Sequence, residues 1–244
     1  MALYLIGLGL WNEKDISVKG LETAKACKKL YMEEYTSKLG VSKEVLEGLT
    51  GKEIKLLSRA DVEQSDLLLK EAKNDDVALL VGGDPLVATT HIDLLLQAKK
   101  AGIKTKMIHS SSIYTAVCES GLFVYKFGKS CSIPFPEPGV SVKSFYDTVL
   151  ENQKAGLHTL IFLDLKPEQN RFMSINQALE ILIKLGLSKD TLSVGFARLG
   201  SEDQFIKAGT AGELFHIDFG GPQHALVIPG KLHFVEEDAL KTLS

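Results

Sequence analysis

The first half of the chain alternates short apolar runs with helical patterns. Residues 3–6 read as a strand. A helix over 16–28 follows, opened by Asp15 or Ser17, with Leu21, Ala24 and Ala26 or Cys27 on its apolar side. Residues 30–32 form a second strand. Ser42 caps a helix through Leu49, and Gly51 ends it. Residues 54–57 are a strand, and 61–72 are helical with Val62, Leu68, Leu69 and Ala72 on one face. The run Val77-Ala78-Leu79-Leu80-Val81 has the length and β-branched content of a fully buried strand. A helix over 91–100, stopped by Gly102, and a strand over 104–108 complete the series. Strands and helices alternating at these spacings predict a largely parallel sheet covered on both faces.

The texture changes after Gly121. His109-Ser110-Ser111-Ser112-Ile113 leads into a helix through about Ser120. Residues 130–135 form a strand, with Pro134, Pro136 and Pro138 limiting it. Residues 143–152 are a helix, 158–163 a strand and 175–185 a helix. Residues 192–197, 204–207 and 225–228 are further strands with less helix between them. These elements predict an α/β chain of two domains, 1–109 with a mostly parallel sheet and 110–244 with a mixed one.

Composition narrows the classes. The 244 residues are 45% apolar and 24% charged, enough for one large or two small domains. Net charge is −3, so no basic field argues for nucleic-acid binding, and pairs such as Lys28-Lys29 and Lys99-Lys100 read as solvated helix faces. No stretch approaches the roughly 20 apolar residues of a membrane span. The first residues, Met1-Ala2-Leu3-Tyr4, do not read as a signal peptide. Cys27, Cys118 and Cys131 are odd in number and lack metal-ligand spacing, which suits a reducing cytoplasm. The six histidines contain no metal-binding pair at helical spacing, so no metal is expected.

Candidate chemistry gathers where strands end. Gly82-Gly83-Asp84-Pro85-Leu86-Val87 follows the most apolar strand, at the place where an open α/β sheet usually binds its ligand. Asp84 suits either an Asx-turn or helix cap, or acceptance of hydrogen bonds from a ligand hydroxyl or ammonium. Thr89, Thr90 and His91 read as helix-start residues. Gly7-Leu8-Gly9-Leu10 suggests a tight turn or close ligand approach, but Asn12 stands where a dinucleotide fingerprint needs glycine. Ser110, Ser111 and Ser112 suit a helix entry or a ligand equally. His224, beside the strand over 225–228, is a structural residue or a ligand contact. No G-x-S-x-G elbow and no phosphate-binding loop occur, which removes serine hydrolysis and phosphoryl transfer.

These segments, taken in order, closely resemble the diphthine synthases. The resemblance rests on Leu3 through Leu10, Asp15-Ile16-Ser17-Val18-Lys19-Gly20-Leu21-Glu22, Glu34-Tyr35-Thr36-Ser37 and Gly83 through His91. It continues through His109 with Ser112-Ile113-Tyr114, Tyr125-Lys126-Phe127-Gly128, Ser144-Phe145-Tyr146-Asp147 and Gly156-Leu157-His158-Thr159-Leu160. Leu163-Asp164-Leu165-Lys166, Ala197-Arg198-Leu199-Gly200 and Pro229-Gly230-Lys231-Leu232-His233 complete it over nearly the whole chain.

The resemblance implies a tetrapyrrole-methylase-like fold of two α/β domains with S-adenosyl-methionine in the cleft between them, S-adenosyl-homocysteine as product, and a homodimer. It implies repeated methylation of a modified histidine on translation elongation factor 2, in diphthamide synthesis. The positions matching the family's cofactor contacts are Leu10, Asp84, Val87, Ser112, Ile113, Leu163, Leu199 and His224. Leu163 and Leu199 enter through the resemblance alone. Two other readings use the same fold or surface: methylation of a tetrapyrrole or of ribosomal RNA, and a non-catalytic module that binds the elongation factor. The segment 229–233 resembles archaeal members, which add three methyl groups, whereas 132–135 and 200–206 resemble eukaryotic members, which add a fourth as an ester.

Methyl transfer from a sulfonium is an in-line displacement that needs chiefly alignment, worth roughly 7–11 kcal/mol as effective molarity. No covalent intermediate is required, in keeping with a chain that has no triad. His91, His109 and His224 are candidate bases for the acceptor amine by residue type, with solvent as the alternative, and no catalytic residue is assigned.

Overall fold

A computed structural model describes residues 1–139 and 142–244. The chain divides into two compact units, Met1–Ile113 and Tyr114–Ser244.

The first unit runs β1 (Ala2–Gly7), α1 (Val18–Ala26), β2 (Lys29–Glu33), α2 (Lys43–Thr50), β3 (Ile54–Leu57), α3 (Arg59–Glu63), α4 (Leu67–Ala72), β4 (Val77–Val81), α5 (His91–Lys100) and β5 (Lys104–Ile108). Its five strands are all parallel, in the order β3-β2-β4-β1-β5. Every residue of β4 is buried, because that strand is central and covered on both faces. Leu3, Leu5, Leu79 and Val81 pack into one apolar layer, and Ile6, Leu8, Leu30, Ala78 and Leu80 into the other. The chain leaves β1 toward β2 and leaves β4 toward β5, in opposite directions across the sheet. The carboxyl ends of neighbouring β1 and β4 are therefore a topological switch point, the usual ligand position in open α/β sheets.

Ser17, not Asp15, caps α1, its side chain accepting from the Gly20 N–H at 3.0 Å. The helix expected over 61–72 is two helices. A Ser58–Asp61 capping box starts α3 two residues early. Ser65 then donates to the Asp61 carbonyl at 2.5 Å and accepts from the Leu67 N–H at 3.3 Å, so a side chain competes with the helical ladder and breaks it.

The second unit takes in α6 (Ile113–Ala116) from its second residue, then β6 (Cys131–Ile133), α7 (Ser144–Ala155), β7 (Thr159–Leu163), β8 (Leu165–Lys166), β9 (Arg171–Phe172), α8 (Ile175–Leu185), β10 (Leu192–Ala197), β11 (Phe205–Thr210), α9 (Ala211–Leu214), β12 (His224–Ile228) and α10 (Phe234–Lys241). Its main sheet has the order β11-β10-β12-β7-β6 and is mixed, only the β6–β7 pair being parallel. A Ser174–Gln177 capping box starts α8 and Gly186, in the left-handed region, ends it. Its Ile175, Ala178, Leu179 and Leu182 bury against β7 and β12 residues Ile161 and Leu226. The strand expected over 204–207 extends to Thr210. Helix α10 was not expected. Only Glu236 and Leu240 of it are buried, which leaves no apolar stripe to read.

Glu236 is the polar centre of this unit. Its Oε1 accepts from the Phe123 N–H at 2.8 Å and pairs with His158 Nε2 at 2.9 Å, and its Oε2 accepts from the His233 N–H at 2.8 Å and binds Lys126 Nζ. The side chains of Glu236 and His158 are wholly buried. Burial would push the Glu236 carboxyl up, but the bonds from Lys126, Phe123, His233 and His158 outweigh it and hold it at about 2. Burial pushes His158 down, against the pull of Glu236. The Gly230 N–H donates to His158 Nδ1 at 2.9 Å, so His158 presents its proton from Nε2 to the carboxylate.

Among the described residues no helix is long and apolar enough to cross a membrane, and no cluster of three or more His, Cys, Asp or Glu residues could hold a metal ion.

Candidate active site

In the first unit, three loops meet at the carboxyl ends of β1, β4 and β5. Gly9 and Gly83 pair in an isolated antiparallel bridge, with the Gly83 N–H donating to the Gly9 carbonyl at 2.7 Å. Gly7 is needed because a Cβ there would stand 2.6 Å from the Gly83 carbonyl oxygen and 2.7 Å from Ser110 Cβ. Gly9 has φ +85, and a Cβ there would stand 2.3 Å from Asp15 Cβ. The G-x-G of the sequence is thus spent on contacts between loops of the protein itself. Asp15 folds the rest of the β1 loop, its Oδ2 accepting from the Trp11 N–H at 2.7 Å and the Asn12 N–H at 3.1 Å.

Asp84 joins the β4 loop to the β5 loop. Its Oδ1 accepts from the Leu86 N–H at 3.0 Å, an Asx-turn. Its Oδ2 pairs with His109 Nδ1 at 2.8 Å and accepts from the Ser110 N–H at 3.2 Å. The turn reading of this residue is what the structure shows. The turn role is fulfilled, and a carboxylate with about four acceptor positions keeps one beyond these three bonds. Asp84 is 7% exposed. Gly83 has φ +71 with no atom within 4 Å of a built Cβ, so backbone conformation alone demands glycine there. Gly83→Ala is expected to cost about 1–2 kcal/mol, measured by urea unfolding. A cost above about 3 kcal/mol would show that space, not φ, matters.

Leu10, Val87 and Ile113 are half-buried near these loop ends, and Ser112 is buried at 5% exposure. The first unit thus carries Leu10, Asp84, Val87 and Ser112 on loops following β1, β4 and β5, and Ile113 at the first position of α6.

The other three positions lie in the second unit at one end of its main sheet. Leu163 ends β7, Leu199 follows β10, and His224 begins β12 opposite Ala197. His224 is buried, and burial pushes its ring toward the neutral form. Its Nδ1 accepts from the Ile175 N–H at 3.3 Å, so Nε2 carries the proton and donates to the Gly221 carbonyl at 2.9 Å. Sequence reasoning did not single out Arg198, which shapes this end. It adopts φ +51 and donates from Nη1 to the Phe219 and Gly221 carbonyls at 2.7 and 2.8 Å. Nε binds Asp203 Oδ2 at 2.7 Å.

The three candidate bases separate on geometry. His224 has both ring nitrogens engaged by backbone. His91 is 1% exposed, with Nδ1 at 3.1 Å from the Pro85 carbonyl and Nε2 at 3.3 Å from the Tyr35 hydroxyl. His109 differs, its side chain 68% exposed beside Asp84.

A profile of the tetrapyrrole (corrin/porphyrin) methylases matches residues 2–214. A diphthine synthase of Methanocella arvoryzae is 48% identical over 99% of this chain and 98% of its own length. One of Methanosarcina mazei is 49% identical over 99% of this chain and 96% of its own. A crystal structure of a diphthine synthase superposes with a TM-score of 0.94 at 42% identity, covering all of this chain and 96% of that one.

Proposed function

Because the chain belongs to the tetrapyrrole methylase family, and within it to the diphthine synthases, we propose that it is the methyltransferase that repeatedly methylates the modified histidine of translation elongation factor 2. The observation that carries the reading is the gathering of the β1, β4 and β5 loops around Asp84 at the switch point of the parallel sheet. The relatives are named for diphthine formation, which favours this substrate over a tetrapyrrole or ribosomal RNA, and an enzyme over a binding module.

The donor set suits S-adenosyl-methionine. Asp84 keeps an acceptor position for a hydroxyl or ammonium, and the half-buried Leu10, Val87 and Ile113 offer apolar surface for an adenine and a thioether. When bound, this group supplies a methyl already activated by the positive sulfur. The protein's work is then to bind and orient. Asp84 holds the polar end from its fixed turn, and the apolar positions exclude water around it. We place His224 in a supporting role, since its ring nitrogens brace the backbone of 175 and 221. The enzyme is proposed to work as a homodimer in the cytoplasm.

Incubation with S-adenosyl-methionine and elongation factor 2 bearing the precursor histidine is expected to add three or four methyl groups to one peptide, read by mass spectrometry. The protein alone should gain several degrees of thermal stability with saturating S-adenosyl-methionine. No mass gain together with no thermal shift would reject the proposal.

A further inference from the structure

The β4 loop is strained and is braced from behind. Gly83 and Ala88 both adopt positive φ, at 71° and 57°, and Ala88 pays for it without glycine's freedom. Between them lies the Asp84–Val87 turn. Asp84 ties that turn to the β5 loop, and on the side toward α5 the tie is the Pro85 carbonyl oxygen. It accepts from Thr89 Oγ1 at 2.5 Å and from His91 Nδ1 at 3.1 Å.

His91 is itself fixed. A carbonyl can only accept, so Nδ1 carries the proton and Nε2 accepts from the Tyr35 hydroxyl at 3.3 Å. Tyr35 belongs to the Glu-Glu-Tyr-Thr-Ser segment after β2. That segment is clamped in turn, with the Tyr35 and Thr36 N–H groups donating to buried Glu33 Oε2 at 3.0 Å each. Arg59 lies 5.1 Å over the Tyr35 ring. The segment also presses on the loop directly, since a Cβ on Gly82 would stand 2.9 Å from Ser37 Cβ.

We propose that His91 is a positioning residue for the methyl donor: through the Pro85 carbonyl it holds the Asp84–Val87 turn in its binding shape, with Tyr35 and Glu33 holding His91. This rests on the reading of that turn as a cofactor contact. It gives a role to the conspicuous His91, which is too buried to reach an acceptor amine, and to the segment 34–37.

The test exploits two amides. The side-chain NH2 of asparagine falls where His Nδ1 lies, and the amide of glutamine falls nearer Nε2. His91→Asn therefore keeps the donor to Pro85, whereas His91→Gln keeps only the partner for Tyr35. Both bury an amide of similar polarity, so a purely structural role would treat them alike. By titration calorimetry, His91→Gln is expected to raise the Kd for S-adenosyl-methionine at least tenfold, and His91→Asn less than threefold. The kcat at saturating cofactor should stay within threefold for both. Equal Kd values for the two variants, or a weaker His91→Asn, would overturn the proposal.

If both fail to fold, Thr89→Val removes the other bond to the same carbonyl from a half-buried position. A three- to tenfold rise in Kd is expected, and an unchanged Kd would overturn the proposal. Failure of the wild-type protein to bind S-adenosyl-methionine would instead reject the underlying functional reading.

Discussion

Glu236→Ala is expected to destabilise the protein by about 3–5 kcal/mol, the usual consequence of removing one partner from a buried ionic network. The substitution leaves Lys126 without its carboxylate, and the N–H groups of Phe123 and His233 without acceptors. A loss of this size should lower the melting temperature by roughly 10 °C. The effect has a pH signature. The Glu236 carboxyl sits at about 2 against an ordinary 4.5, so its contribution is complete above pH 4.5 and is lost as pH falls toward 2. A shift of that size corresponds to about 3 kcal/mol. His158 is held below its ordinary 6.5, so acidification from that point also favours the unfolded chain, which takes up the proton first. Both groups make the protein acid-labile. Urea unfolding at pH 7, 5 and 3 should show a steep decline in the wild type and a shallower one in Glu236→Gln. Parallel declines would mean that Glu236 is not the titrating centre.

Asp84→Ala is expected to raise the Kd for S-adenosyl-methionine about 100-fold, equivalent to about 2.7 kcal/mol. A hydrogen bond to a charged acceptor is worth about 1.5–3 kcal/mol, and the substitution also releases the Leu86 turn and the Ser110 N–H. Asp84→Asn separates these effects. Its amide oxygen can keep the Leu86 bond, but its NH2 would then face the Ser110 N–H, donor against donor, so an intermediate Kd is expected. His109→Ala removes the exposed ring and leaves the carboxylate and its turn in place, so its Kd should stay within fivefold. Calorimetry on the three variants decides. An Asp84→Ala protein that folds and binds as the wild type does would remove Asp84 from the cofactor site.

The parts of this fold that read directly from the chain are those set by local pattern. The run 77–81 announces a central strand because burial on both faces allows no polar residue. Ser42 and Gly51 mark the ends of α2 because helix ends leave backbone groups to satisfy. The loops after β1 and β4 were legible as candidates because glycines, and in the second a carboxylate, interrupt apolar runs there, and the loop after β5 because three serines precede a helix.

Long-range polar chemistry was not legible. Glu236 is followed by Glu237 and Asp238, and nothing in the sequence distinguishes the buried acid from its exposed neighbours. Its partners Phe123 and Lys126 lie 113 and 110 positions earlier. The break between α3 and α4 turns on one serine hydroxyl, which periodicity does not register. Leu163 and Leu199 were unreadable for another reason. Where packing and backbone do the holding, almost any apolar side chain serves, so residue type carries little information.

The position of Glu236 bears on how the protein is made. Every group it binds precedes it in the chain, so none is neutralised while the nascent polypeptide is still short of residue 236. The parallel sheet of the first unit is complete once Ile108 has left the ribosome. That unit can close early, as amino-terminal domains generally do. The second unit has to wait with Lys126 and His158 lacking their carboxylate until the start of α10 emerges, an interval in which the growing chain is open to aggregation and proteolysis.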